Sequence, residues 1–129
     1  MRFADDHPLV LRLRALCGQY PEVTEARAHG RATWRAGSRQ FALAGAAHQP
    51  EAAAVVRVDQ DERSALLERD DVWIPAYDGA WGYVAIAAHP GGDWALIAEL
   101  IDASYRLVAN KRQLTALDAH PLMPLDRDA

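Results

Sequence analysis

Arginine and aromatic side chains are the residues of this chain whose types and spacing could do chemistry. Five arginines lie between residues 26 and 58 against one acid, Glu51, so this segment carries +4 in a chain whose formal net charge is −4. Guanidinium groups bind phosphate oxygens and aromatic rings stack on bases, a combination typical of nucleic-acid-binding surfaces. The candidate nucleic-acid-binding residues are Arg31, Arg35, Arg39, Arg57, Trp81 and Tyr83.

Other interpretations of the same residues stay open. Arginines commonly coat the solvent side of an antiparallel sheet without binding anything. Tryptophan, tyrosine and arginine are also enriched at protein interfaces, so a homodimer or another protein contact through this face is the first alternative function. A small-ligand pocket between sheet and helices is the second. The negative net charge and the single lysine, Lys111, limit any DNA binding to a weak interaction without sequence preference.

Motifs for catalysis, metal binding and cofactor binding are absent from the sequence. The five histidines form no His-x-His or His-x-x-x-His pair, so they lack the spacing of metal ligands. Cys17 follows an apolar helical stripe and is expected in the core rather than as a nucleophile. The close acids at residues 59–62 and 70–71 fall at predicted helix ends, where acids are ordinary caps. We therefore expect no catalytic residue, no metal and no cofactor.

Length and composition predict one cytoplasmic domain. The chain has 129 residues, of which 50 % are apolar, enough for one core without disulfides. A single cysteine excludes an intramolecular disulfide and a thiolate metal cluster. The first residues are acidic where a signal peptide would be basic, and no run approaches the roughly 18 apolar residues of a membrane span. We therefore expect no membrane partner.

A helix and a hairpin precede the other predicted elements. Leucines spaced by three and four residues predict a first helix that is capped by Asp5 or Asp6 and ends at Gly18. Gly37 and Ser38 predict a two-residue hairpin loop. In that register, Trp34 faces Phe41 and Ala32 faces Leu43 on the core side, while Arg31, Thr33 and Arg35 lie on the solvent side.

The remaining pattern alternates strands and helices. Residues 53–58 predict a strand with Arg57 directed away from the core, and Asp59 caps the helix that follows. Residues 72–77 are expected to be extended, and residues 81–87 predict a last strand with Trp81 and Tyr83 on the outer face. Asp93 begins the longest helix, Asn110 ends it, and an irregular tail follows at residues 113–129. This order predicts an α+β fold with an antiparallel sheet, whose single domain covers residues 1–112.

Four segments resemble the MmcQ/YjbR family of small bacterial proteins: TEARAHGRATWRAGSRQFAL, VVRVDQDERSALLERDDVWIPAY, GYVAIA and SYRLVANKR. The last is the most specific, and the similarity spans roughly residues 9–112. This resemblance implies a YjbR-like α+β fold and DNA as a partner, and it brings no catalytic motif.

Overall fold

The protein is described by a computed structural model that covers residues 3–120 and residue 122. Six antiparallel strands form one sheet in the order β1-β2-β3-β4-β6-β5. The strands are β1 (Val23–Ala28), β2 (Arg31–Ala36), β3 (Arg39–Ala44), β4 (Ala53–Arg57), β5 (Val72–Trp73) and β6 (Tyr83–Ala87). The helices are α1 (Pro8–Cys17), α2 (Gln60–Leu66), α3 (Trp94–Val108) and α4 (Lys111–Ala119), with a 3₁₀ turn at Asp78–Trp81. The predicted α+β class is confirmed.

Helices α1 and α3 cover one face of the sheet, which we call the inner face. Its apolar side chains and those of the two helices form the main core, because each element presents one apolar side to the other. Tyr20, Phe41 and Tyr105 pack as a ring cluster within it. The core residues expected from the sequence are confirmed: Trp34, Phe41, Val56, Val84, Ile86, Ile97, Leu100, Ile101 and Val108.

The hairpin between β2 and β3 has the predicted turn but a different register further along. Ala36 pairs with Arg39 and Arg35 with Gln40 as expected, and Gly37 supplies the positive φ that the turn requires. A β-bulge next to Arg35 then makes Trp34 face Ala42 instead of Phe41. Leu43 therefore joins Thr33 on the opposite, outer face, and the predicted pairing of Ala32 with Leu43 is wrong.

The outer face is also less exposed than expected. Leu43, Val55, Tyr83 and Ala85 form a second apolar cluster there, and Thr33 is fully buried beside it. The segment of residues 72–82 lies at the β6 end of the sheet, since β5 pairs with β6 and the 3₁₀ turn contacts β6. The prediction that this face is solvent-exposed is therefore wrong for its centre.

Helix caps confirm two predicted boundaries and correct a third. Asp59 accepts a hydrogen bond from the backbone N–H of Glu62, and Asp93 accepts one from that of Leu96, as their spacing predicts. The first helix is capped by the imidazole of His7 rather than by Asp5 or Asp6.

The C-terminal segment differs from its prediction. Asn110 starts a helix instead of only ending one, because it forms a reciprocal capping box with Gln113. Residues 111–119, which were expected to be mostly irregular tail, are thus helical, and Leu117 packs into the core. The rest of the predicted tail lies outside the described residues, apart from residues 120 and 122.

Candidate functional site

A groove of about 740 Å³ runs over the outer face of the sheet, and we call it the arginine groove. Strands β2, β3, β4 and β6 supply its floor, and the 3₁₀ turn and the end of α3 supply its walls. Five of the six predicted binding residues line it: Arg31, Arg39, Arg57, Trp81 and Tyr83. The other main polar and aromatic lining residues are His29, Gln40, Asp59, Tyr77 and Asp78.

Arg31 is buried in an ion pair and is not a free cation. It is 5 % exposed, and its Nη1 donates to Asp78 Oδ2 at 2.7 Å and to the carbonyl of Gly45 at 3.1 Å. A second bond joins Nη2 to Asp78 Oδ1 at 3.3 Å, so the contact is bidentate. Arg31 therefore fixes the 3₁₀ turn against β2, and its prediction as an exposed phosphate contact is corrected.

Arg39 and Arg57 are the exposed arginines of the arginine groove. Within residues 3–120 and 122, no carboxylate forms an ion pair with either guanidinium. Arg14, Arg69, Arg106 and Arg112, which do not line the groove, all pair with acids. Asp59, the nearest acid by sequence, holds the N-terminus of α2. The local positive charge thus resides on two groups.

Arg35 lies outside the lining of the arginine groove. It pairs across the strands with Gln40 and Thr24, and its Nε is buried without a hydrogen-bond partner in the described part of the chain. The four predicted arginines therefore do not form one exposed cationic surface, because Arg31 is paired with Asp78 and Arg35 does not line the groove.

Tyr83 and Trp81 have different roles. Tyr83 is 6 % exposed, its hydroxyl donates to the carbonyl of Gln40 at 3.0 Å, and burial raises the pKa of its phenol. Its prediction as an exposed stacking residue is corrected, since it forms part of the floor. Trp81 is 70 % exposed and belongs to the 3₁₀ turn rather than to the last strand. Gly82, at φ 89°, ends that turn, and this is why β6 begins two residues later than predicted.

Sequence reasoning missed Tyr77 as a site residue. Tyr77 is 71 % exposed and lines the arginine groove, as does the exposed Trp81 of the same segment. Its backbone has φ 72° and ψ −64°, and the N–H of Asp78 bonds to the carbonyl of Ala76 at 2.8 Å, which is a γ-turn. The Pro75-to-Gly79 run signals a turn, but not the direction in which the ring projects.

Other chemistry is limited in the described part of the chain. No group of three or more His, Cys, Asp or Glu side chains there could hold a metal ion. Cys17 is fully buried, and burial raises the pKa of its thiol, which disfavours the nucleophilic thiolate. Among residues 3–120 and 122, no helix combines the length and the apolar character needed to cross a bilayer.

Comparison with known proteins gives one match. The family model described as YjbR matches residues 18–107, which include β1 to β6 and nearly all of α3. Neither a curated protein nor a solved structure gives a significant match. Because the matched residues make up more than half of the chain, and because they carry the whole sheet and its groove, the protein belongs to the YjbR family.

Proposed function

We propose that this YjbR-family protein is a non-catalytic binding module whose arginine groove holds single-stranded DNA weakly and without sequence preference. One observation carries the proposal: Arg39 and Arg57, two exposed arginines that form no ion pair with the described residues, share a groove with two exposed rings, Tyr77 and Trp81. Guanidinium groups bind phosphates, and exposed rings stack on bases of any kind.

A single strand fits this arrangement better than a duplex. Stacking on Tyr77 or Trp81 requires an unpaired base, whose face is free. Duplex readers insert a helix or a β-ribbon into the major groove, whereas here the cationic groups lie on a sheet face between projecting side chains. The volume of about 740 Å³ is that of a small-ligand site, so it accommodates a short stretch of strand.

The structure lowers the expected number of phosphate contacts to two, Arg39 and Arg57. Each neutralised phosphate of a single strand contributes about −0.7 to the slope of log affinity against log salt, so the slope should be about −1.4. This corresponds to roughly a sevenfold loss of affinity between about 50 and 200 mM salt. The acidic body of the protein keeps the affinity low.

The test is a fluorescence-anisotropy titration of a labelled oligothymidine at several salt concentrations. The variant Arg39→Gln/Arg57→Gln should abolish measurable binding. The matched control Arg69→Gln/Arg106→Gln removes the same charge from two arginines that are already ion-paired outside the groove, and it should bind nearly as the wild type does.

Two results would contradict the proposal. One is equal affinity for the two double variants, which would make binding a property of total charge. The other is no binding by the wild type even at low salt. If the wild type is then a dimer that the Arg39→Gln/Arg57→Gln variant cannot form, the arginine groove is a protein interface, because exposed Trp, Tyr and Arg suit that role too.

A further inference from the structure

A second cavity, of about 270 Å³, adjoins the arginine groove and has His29, Arg31, Ala47, His48 and Tyr77 on its walls. Three of these residues, His29, Arg31 and Tyr77, also line the groove. The two cavities therefore meet at these shared residues, one of which is the exposed Tyr77.

Unusual backbone conformations concentrate at this second cavity. In the described part of the chain, four non-glycine residues have positive φ, and three of them line it: His29 at 53°, His48 at 63° and Tyr77 at 72°. Such conformations cost free energy in residues with a Cβ, and they occur preferentially at functional sites. Each of the three residues lies in a turn that directs its side chain toward this end of the sheet.

The charges around the cavity favour an anion. Its titratable and charged side chains are the imidazoles of His29 and His48, the guanidinium of Arg31 and the phenol of Tyr77. Asp78 lies behind Arg31 and is engaged by it in a bidentate ion pair. Among the described residues that line the cavity there is no carboxylate. Protonation of the imidazoles therefore adds positive charge that no lining acid neutralises.

We propose that His29 and His48 form a pH-dependent phosphate subsite at the end of the arginine groove. Its ligand is a phosphate group, and its occupancy rises as the imidazoles become protonated, because only a protonated ring adds positive charge. That this phosphate belongs to a DNA strand rests on the function proposed above. The subsite itself is defined by its own residues and binds inorganic phosphate as well.

The first test follows the imidazole signals of all five histidines by NMR while inorganic phosphate replaces chloride at constant ionic strength. At about pH 6, the signals of His29 and His48 should move together with one dissociation constant. The signals of His89 and His120, which lie outside the cavity, should not follow that titration. Unaffected His29 and His48 signals would overturn the subsite.

The matched variant is His29→Asn/His48→Asn, because asparagine tolerates positive φ and does not titrate. It should lose phosphate binding while keeping its melting temperature, whereas His120→Asn should behave as the wild type does. Retained phosphate binding in the double variant would contradict the subsite. If that variant is poorly folded, the phosphate titration of the His29 and His48 imidazole signals in the wild type still decides the question.

DNA binding distinguishes this proposal from the proposed function. If one more phosphate is bound at low pH, the salt slope for oligothymidine should change from about −1.4 at pH 8 to about −2.1 at pH 6, and only in chains that keep both histidines. Phosphate binding without DNA binding would leave the subsite intact and refute the proposed function. DNA binding whose salt slope is the same at about pH 6 and pH 8, together with unperturbed His29 and His48 signals, would refute the subsite and leave the proposed function intact.

Discussion

At the scale of residues, arginines that look equivalent in the sequence differ in what they can bind. Arg31 and Arg57 both project from the outer face of the sheet, yet Arg31 is buried against Asp78 and Arg57 is exposed. The difference depends on a carboxylate 47 residues away in the chain, which local pattern does not reveal. The arginine groove brings five of the six predicted residues together, but Arg31 and Tyr83 are buried although exposed side chains are predicted there.

The Arg31–Asp78 pair gives a stability prediction. Asp78→Ala should cost about 3–5 kcal/mol in the free energy of unfolding, because it leaves a buried guanidinium without its partner. Replacing both, as Arg31→Met/Asp78→Leu, should recover most of that loss. Urea denaturation measures both variants. A loss below about 1 kcal/mol for Asp78→Ala would mean that water reaches Arg31 and replaces the carboxylate.

Two tryptophans allow a matched comparison of core and surface. Trp34 is 1 % exposed and Trp81 is 70 % exposed. Trp34→Ala should cost roughly 3–5 kcal/mol of stability through the cavity that it leaves. Trp81→Ala should change stability by less than about 0.5 kcal/mol and weaken oligothymidine binding by about 1–3 kcal/mol. Chemical denaturation and anisotropy titrations check the pair, and equal stability losses in the two variants would contradict the assignment of their roles.

At the scale of elements, the sequence predicted what local pattern determines. The hairpin loop at Gly37-Ser38, the caps Asp59 and Asp93, and the apolar stripe of α3 all follow from short-range rules. Short-range rules did not predict the bulge beside Arg35 or the 3₁₀ turn at Trp81, because each depends on packing against a neighbouring strand. Those two features decide which side chains face the arginine groove.

One carboxylate joins α1, β1 and β2 and makes their association pH-dependent. Glu25 accepts two hydrogen bonds from Arg14 at 2.8 Å each and one from Trp34 Nε1 at 3.0 Å. The Arg14 guanidinium is the main cause that holds the pKa of Glu25 below its usual 4.5. A carboxyl whose pKa is lower in the folded state stabilises the fold above its unfolded pKa, and this contribution disappears as pH falls through the lower folded value.

Glu25→Gln should therefore lower the melting temperature near neutral pH, and the difference from the wild type should shrink as pH falls below about 4.5. Thermal unfolding followed by circular dichroism from about pH 7 to pH 3 measures this convergence. A difference that stays constant over the whole range would show that the ionised carboxylate contributes nothing.

At the scale of the whole molecule, an acidic protein presents two exposed arginines on one groove. The chain carries a net charge of −4, and within the described residues Arg39 and Arg57 form no ion pair, whereas Arg14, Arg69, Arg106 and Arg112 are engaged by acids. On the proposed function, these two charges would attract an anionic strand to this face. The family match covers the sheet that builds this face.

The most direct test of the central claim is an amide NMR titration with a short oligothymidine at low salt, which locates binding without any mutation. The arginine-groove account predicts that the largest shift changes fall on Arg39, Gln40, Arg57, Tyr77 and Trp81. Residues of α1, which packs on the inner face of the sheet, should change little. Changes centred on α1, or changes spread evenly over exposed arginines, would contradict it.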